Sequence, residues 1–259
     1  MKIGIIGYGV VGKAIASTFT KHYQVYKYDK FYEEDSFEKV CGCEFVFISV
    51  PTPYNNKENK VDDSAIIDSL NKLSDNNFKG IIIIKSTIPP GFSKCYNENY
   101  SLKIIFNPEF LRESKNPNRD FAEQHIVVIG SGGGKYFDEV KALFESVLTK
   151  GTKYYDVNYK TAELIKYSQN MTLASRVAIA NIVYDVCQKY NVDYQTLKKI
   201  AFDSFEILGP YMVEVPGPDG QRGYGGKCLP KDTSGFNSIH YSKIVEEIIN
   251  YNMNLRDDL

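Results

Sequence analysis

The chain has 259 residues, 43% hydrophobic and 24% charged, with a formal net charge of −1. That length and apolar fraction suffice for one large domain or two modest ones, each with a buried core. The near-neutral balance, with Lys and Arg scattered among acids, argues against a nucleic-acid or membrane surface, so an anionic ligand has to be met locally. No apolar stretch approaches the roughly 20 residues of a membrane span, and the N-terminus runs directly into a strand pattern, which together point to a cytosolic protein. Five cysteines, an odd number without framework spacing, are expected to be reduced thiols. Cys41-Gly42-Cys43 lacks the spacing and histidine partners of a zinc site, so no metal is expected.

In chain order, Lys2–Ile6 is a short apolar strand, followed by Gly7-Tyr8-Gly9-Val10-Val11-Gly12 and an amphipathic run through Ala14, Ile15 and Phe19. In this strand-turn-helix setting Gly7 permits a tight turn, and Gly9 lets a pyrophosphate approach the helix N-terminus at Val10 and Val11. Gly12 lets helix pack on strand. The next strand, Gln24–Tyr28, ends in Asp29, about 20 residues past the loop, where an acid accepts hydrogen bonds from an adenosine ribose. That favours NAD over NADP, while Lys30 beside it leaves a 2′-phosphate open.

Residues 45–50 read as a buried strand ending in Pro51-Thr52-Pro53, and 62–73 as a helix with acids at its start. Ile81–Ile84 is a continuous apolar run, as a strand covered on both faces should be, and leads into Lys85-Ser86-Thr87. Lys103–Phe106 ends at Asn107-Pro108-Glu109-Phe110-Leu111-Arg112-Glu113; strands over 126–129 and 153–156, with a helix over 136–148 between them, complete the sheet. Segment 54–60, rich in Asn and Lys, reads as a solvated loop, and the glycines of 130–135 as a turn lacking the spacing of a phosphate loop. Ligands of open parallel sheets bind beyond the carboxyl ends of the strands, which gathers Gly7 to Gly12, Thr52, Thr87 and Glu109 on one edge.

After Asp156 strands give way to helices. Tyr159–Tyr190 carries apolar residues at helical spacing without internal Gly or Pro, predicting one long helix with Lys166 and Asn170 four apart on one face. Alone, that pair is an ordinary exposed polar pair. Residues 194–202, 230–241 and 243–255 read as further helices, the last still in phase where the sequence stops. The expected class is α/β: a Rossmann-type doubly wound parallel sheet over 1–156, then a mainly helical domain over 157–259.

In the helical part, Gly223-Tyr224-Gly225-Gly226-Lys227-Cys228-Leu229-Pro230-Lys231-Asp232 sets one thiol between a glycine-rich approach and a run that opens a helix. Lys227 and Lys231 favour its thiolate and Pro230 suits a first helical turn, the conditions for a reactive cysteine. In isolation the plainer reading is a free thiol in a tight turn.

Taken together, Asn107 to Glu113, Ala162 to Asn170 and Gly225 to Asp232, in that order behind a dinucleotide fingerprint, resemble the nucleotide-sugar dehydrogenases that oxidise UDP-glucose or GDP-mannose to uronic acids. The resemblance runs along the whole chain, and Glu109-Phe110-Leu111-Arg112-Glu113 is more similar to the UDP-glucose and GDP-mannose branches than to the N-acetylated amino-sugar branches. It implies a four-electron oxidation with NAD as cofactor and a nucleotide sugar as substrate. One hydride leaves the sugar C6; Cys228 attacks the resulting aldehyde; a second hydride leaves the thiohemiacetal, and water hydrolyses the thioester. By the same resemblance Lys166 and Asn170 stabilise the oxyanion, Asp232 and Thr87 hold or activate water, and Glu109 serves as general base for hydrolysis. Glu113 contacts substrate or orders water. Phe110, Leu111, Arg112, Tyr224 and Gly225 are expected beside the sugar nucleotide, and Pro51, Thr52, Thr87 and Glu113 beside the cofactor.

Two departures stand out. Lys227 replaces the small or hydroxyl residue usual before the cysteine, and the family's second α/β domain does not follow the last helix. The missing half is then supplied by another polypeptide, the protein is a natural short form with an altered substrate, or the sequence is a fragment. Apolar surface on the long helix predicts a homodimer through the helical region. Two other readings compete. A two-electron β-hydroxyacid-type dehydrogenase also sets Lys-x-x-x-Asn on the helix after its NAD domain and does not need Cys228; a non-catalytic NAD-binding or assembly subunit needs no chemistry at all.

Overall fold

Hydrophobic periodicity and turn residues divide the chain into alternating elements up to residue 157 and helices beyond it. The computed structural model describes residues 1–32, 34–111, 116–134, 136–206, 208–209, 212–239 and 241–256. The elements are β1 (Lys2–Ile6), α1 (Val10–Phe19), β2 (Gln24–Tyr28), α2 (Phe37–Cys41), β3 (Phe45–Ile48), β4 (Tyr54–Asn55), β5 (Lys60–Val61), α3 (Ser64–Asp75), β6 (Ile81–Ile84) and α4 (Phe92–Asn99). They continue with β7 (Lys103–Phe106), α5 (Pro117–Ala122), β8 (Ile126–Gly130), α6 (Phe137–Glu145), β9 (Lys153–Val157), α7 (Tyr159–Tyr190), α8 (Tyr194–Lys198), α9 (Leu229–Ile239) and α10 (Lys243–Met253). Two compact units result: Met1–Lys57 with Val61–Lys166, and Tyr167–Leu259 with Glu58–Lys60. The division falls inside α7.

The first unit is built on a sheet ordered β2-β1-β3-β6-β7-β8-β9. Because side chains alternate across a strand, the all-apolar β3 and β6 feed two cores at once. Phe45, Phe47, Ile81 and Ile83 join Phe19 and Phe144 on one face; Val46, Ile48, Ile82 and Ile84 join Leu70, Leu73 and Tyr96 on the other. Each such side chain contributes about 1.5–3 kcal/mol on burial. The first turns of α7 belong here, with Ala162 and Ile165 against the second core. β1 pairs β2 on one side and β3 on the other, so the strand order reverses beside β1, which opens a crevice beyond its carboxyl end.

The parallel arrangement stops at β7. β8 meets it antiparallel through the single pair Phe106↔Gly130, whereas β8 and β9 run parallel to each other from Ile126↔Lys153 to Gly130↔Val157. The expectation of an open parallel sheet is thus corrected for its last two strands. Segment 54–60 is also not a plain loop: β4 and β5 form a two-stranded sheet, their connection tightened by Lys57 N–H donating to Asn55 Oδ1 at 3.0 Å. Helix α4 is capped from α7, since the buried Glu163 accepts from Gly91 N–H at 2.6 Å and Ser93 N–H at 2.8 Å. Burial pushes the Glu163 carboxyl above its usual range, those bonds opposing it.

The second unit is helical. Ala180, Cys187, Tyr194, Val213 and Val215 form one small core, and Ala174, Val177 and Tyr224 another. Asp193 caps α8 by accepting from Thr196 N–H at 2.8 Å. Helix α10 ends at Met253, where Asn254 takes the C-cap, so it does not run on in phase to Leu255 as expected. Among the described residues no helix is long and apolar enough to cross a membrane.

Candidate active site

The glycine loop after β1 shows three different steric demands. Gly7 has φ +90°, and a Cβ there would lie 2.7 Å from the Ser49 carbonyl oxygen; a Cβ on Gly12 would lie 2.1 Å from the Gly7 oxygen. Gly9 instead faces open space, with no atom within 4 Å of the position its Cβ would take. That gap lies before the free N–H groups at the start of α1, where Val10 is exposed, and leaves room for a pyrophosphate to approach. Asp29 ties the loop down, its Oδ2 accepting from Tyr8 N–H at 2.7 Å and its Oδ1 from Phe31 N–H at 2.9 Å. Each oxygen keeps a second lone pair for a ribose hydroxyl. Around the crevice Ser49 donates to the Gly7 carbonyl, Ser86 to Val50 and Thr52 to Thr87, at 2.7–2.8 Å. Pro51 and Lys30 are exposed.

This geometry separates folding from binding. Gly9 has φ −77°, which alanine adopts freely. Gly9→Ala is therefore expected to keep thermal stability within about 1 kcal/mol while NAD affinity by titration calorimetry falls about tenfold or more.

At the ends of β6 and β7, charge is buried. The Lys85 ammonium lies 2.9 Å from Glu109 Oε2 and donates to Asn107 Oδ1 at 2.7 Å, with the lysine side chain inaccessible and that of Glu109 11% exposed. Glu109 Oε1 accepts from both Phe110 and Leu111 N–H, at 2.8 and 2.9 Å. Burial holds Lys85 below the ordinary lysine range, the Glu109 carboxylate pulling the other way. Glu109 thus organises the turn that sends Phe110 towards one core and Leu111 towards the other. Lys85 carried no role in the sequence reading. Its signal was a cation directly after an all-apolar strand, a place where charge needs a partner.

In the second unit, Cys228 is exposed and its carbonyl accepts from Asp232 N–H at 2.8 Å, making it the residue that opens α9. Gly223 and Gly226, at φ +73° and +74°, turn the chain into that position. Asp232, 1% exposed, receives Asn170 Nδ2 on one oxygen and the Lys231 ammonium on the other. Lys231 therefore pairs with Asp232. Lys227 is exposed. Cys43, in contrast, is buried and its thiol is pushed up to about 12 by burial, a packing residue and no nucleophile.

The remaining expected residues divide clearly. Lys166 Nζ stands 5.7 Å from the centre of the Phe110 ring, which joins the first turns of α7 to the Glu109 loop. Asn170 follows four residues later on the same helix and belongs to the second unit. Tyr224, expected beside substrate, is instead buried against Ala174, Val177 and Leu229, since its ring fills the smaller core of that unit. Gly225 lies under Arg256, whose Cζ would be 2.4 Å from a Cβ. Arg112 and Glu113 lie outside the described residues.

Residues 24–148 match the UDP-glucose/GDP-mannose dehydrogenase family, NAD binding domain, and residues 160–254 match that family's central domain. A UDP-glucose 6-dehydrogenase from Rickettsia bellii is 33% identical over 240 residues, covering 87% of this chain and 52% of its own length. Among solved structures, a UDP-glucose dehydrogenase from the archaeon Pyrobaculum islandicum gives a TM-score of 0.80 at 22% identity over 96% of this chain and 68% of its own. A 3-hydroxyisobutyrate dehydrogenase from Mycobacterium tuberculosis gives 0.73 at 14% identity, over 99% and 94%. These two likenesses speak to the fold. The chain spans about half the length of the curated relatives it matches. Its sheet, and the family domain matched from its second strand to residue 148, define an NAD-binding unit of the dehydrogenase class. The chain belongs to the UDP-glucose/GDP-mannose dehydrogenase family and carries its NAD-binding and central domains.

Proposed function

We propose that this chain, by itself or as half of a larger enzyme, oxidises a nucleotide sugar, UDP-glucose to UDP-glucuronate, through a thioester on Cys228. The observation that carries this reading is an exposed thiol opening α9 four residues before a buried Asp232 that is tied to Asn170. The names of the curated relatives supply the substrate class. NAD supplies the hydride acceptor, one molecule for each of the two oxidations.

The Cys228 thiolate attacks the aldehyde carbon, forming a C–S bond and leaving an oxyanion for the Lys166 ammonium and the Asn170 amide. One Asn170 N–H is held by Asp232, which aims the amide. Loss of the C6 hydride from that oxyanion gives the thioester. Water then adds to its carbonyl, the C–S bond breaks, the thiolate returns and the acid departs. Glu109 takes the proton of that water, which Thr87 helps to hold.

Mixing the chain with NAD+ and UDP-glucose, GDP-mannose or UDP-N-acetyl sugars and following NADH absorbance tests the reading. Two NADH per UDP-glucose is the expected stoichiometry. One NADH per substrate is the result of the two-electron alternative. No NADH at saturation, with NAD+ still bound, marks a non-catalytic subunit.

The reading includes a homodimer. Ile179, Ile182, Val186 and Tyr190 are exposed at helical spacing along α7, an apolar stripe suited to a second copy. Sedimentation at micromolar concentration is expected to show a dimer, and a monomer alone would contradict it.

A further inference from the structure

The turn presenting Cys228 is held by side chains that the proposed chemistry leaves unused. Asn252, near the end of α10, is 2% exposed. Its Oδ1 accepts from Tyr224 N–H at 2.6 Å and its Nδ2 donates to the Tyr224 carbonyl at 2.9 Å, so one amide does for that residue what a neighbouring strand does in a sheet. From α7, the buried Asn181 accepts from Gly223 N–H and Arg222 Nε, both at 3.3 Å, while its own Nδ2 is fixed on the Val177 carbonyl at 2.9 Å. Arg256 covers Gly225 and pairs with Asp219 Oδ2 at 2.8 Å, bracing the start of the same loop. The glycines are fitted to these clamps. A Cβ on Gly223 would lie 2.5 Å from Asn252 Oδ1, and one on Gly225 would lie inside the Arg256 guanidinium.

A segment with glycine at 223, 225 and 226 has wide backbone freedom of its own, so its shape has to come from what grips it. We infer that Asn252, with Asn181 and Arg256, is a positioning set for the nucleophile. These side chains fix residues 223–225 so that Cys228 arrives at the start of α9 with its sulfur beside the free N–H groups of the first helical turn. None of them touches the reacting atoms; they act through the backbone of the turn. The inference rests on the reading of Cys228 as nucleophile.

Thiol reactivity tests it without substrate or cofactor. The full chain is alkylated with iodoacetamide over a pH series and the Cys228 peptide quantified by mass spectrometry, with the exposed Cys95 as internal reference. In the parent protein Cys228 is expected to react faster than Cys95 at neutral pH. In Asn252→Ala its rate falls about 5–10-fold and its pH profile moves towards that of Cys95, which itself does not change. Arg256→Lys keeps the charge opposite Asp219 but loses the guanidinium over Gly225, and gives a smaller shift in the same direction. Should Asn252→Ala fail to fold, Arg256→Lys decides by the same readout. A fast parent Cys228 that stays equally fast in the folded variants overturns the positioning role alone. A parent Cys228 no faster than Cys95 overturns the nucleophile reading and the inference with it.

Discussion

Replacing Cys228 by serine is expected to stop acid formation while leaving the first oxidation in place. With UDP-glucose the variant should give no more than one NADH per sugar, and the rate of acid formation should fall on the order of 10³-fold or more. A serine hydroxyl at this position has neither the acidity nor the leaving ability of a thiol, so an aldehyde added to it is neither readily oxidised nor readily hydrolysed. The substitution isolates chemistry from folding because Cys228 is exposed and opens a helix, where serine is among the preferred residues. The measurement is the ratio of NADH to sugar consumed, together with product analysis. A variant that still delivers two NADH and the acid would sink the thioester route.

The second large effect is on stability. Lys85→Met leaves the Glu109 carboxylate and the Asn107 side-chain oxygen without the ammonium that faces them inside the first unit. Removing one partner of a buried ion pair costs about 3–5 kcal/mol, which for a chain of this size lowers the melting temperature by roughly 6–20 °C. The double variant Lys85→Met/Glu109→Gln should recover much of that loss, because the uncompensated charge is then gone. Denaturant or thermal unfolding of the two variants decides the matter. A single variant within about 1 kcal/mol of the parent, or a double variant no more stable than the single, would show that the ion pair is not what holds this turn.

The strands were readable because an all-apolar run such as Ile81–Ile84 fits only a strand covered on both faces, and α7 was readable because its periodicity is unbroken from Tyr159 to Tyr190. Gly7 and Gly12 were legible as turn and packing glycines, since each answers a steric demand set by its immediate neighbours in the fold, whereas Gly9 faces open space. What stayed hidden depends on partners far away in sequence. The reversal of β8 is a property of tertiary packing, and the short helices α2, α4 and α5 are too brief for a periodicity to form. Nothing around Tyr224 distinguished a ring that lines a ligand from one that fills a core. Asn252 and Arg256 look like ordinary polar residues of a last helix until the cysteine turn is seen lying in their grasp.

The join between β7 and β8 ties the order of the Glu109 turn to the integrity of the sheet margin. Where a second backbone pairing would stand, the Asn107 side chain donates to the Val128 carbonyl at 2.6 Å, and its oxygen takes the proton offered by Lys85 at 2.7 Å. One amide is thus both a stitch in the sheet and the neighbour of the buried charge. The β8–β9 strip cannot peel away without loosening Lys85 from its acceptors, and Lys85 cannot let go without slackening the strip. Fraying at the margin and disorder at the carboxylate are a single cooperative event, so the stiffness of that border gauges how well the interior charge is held.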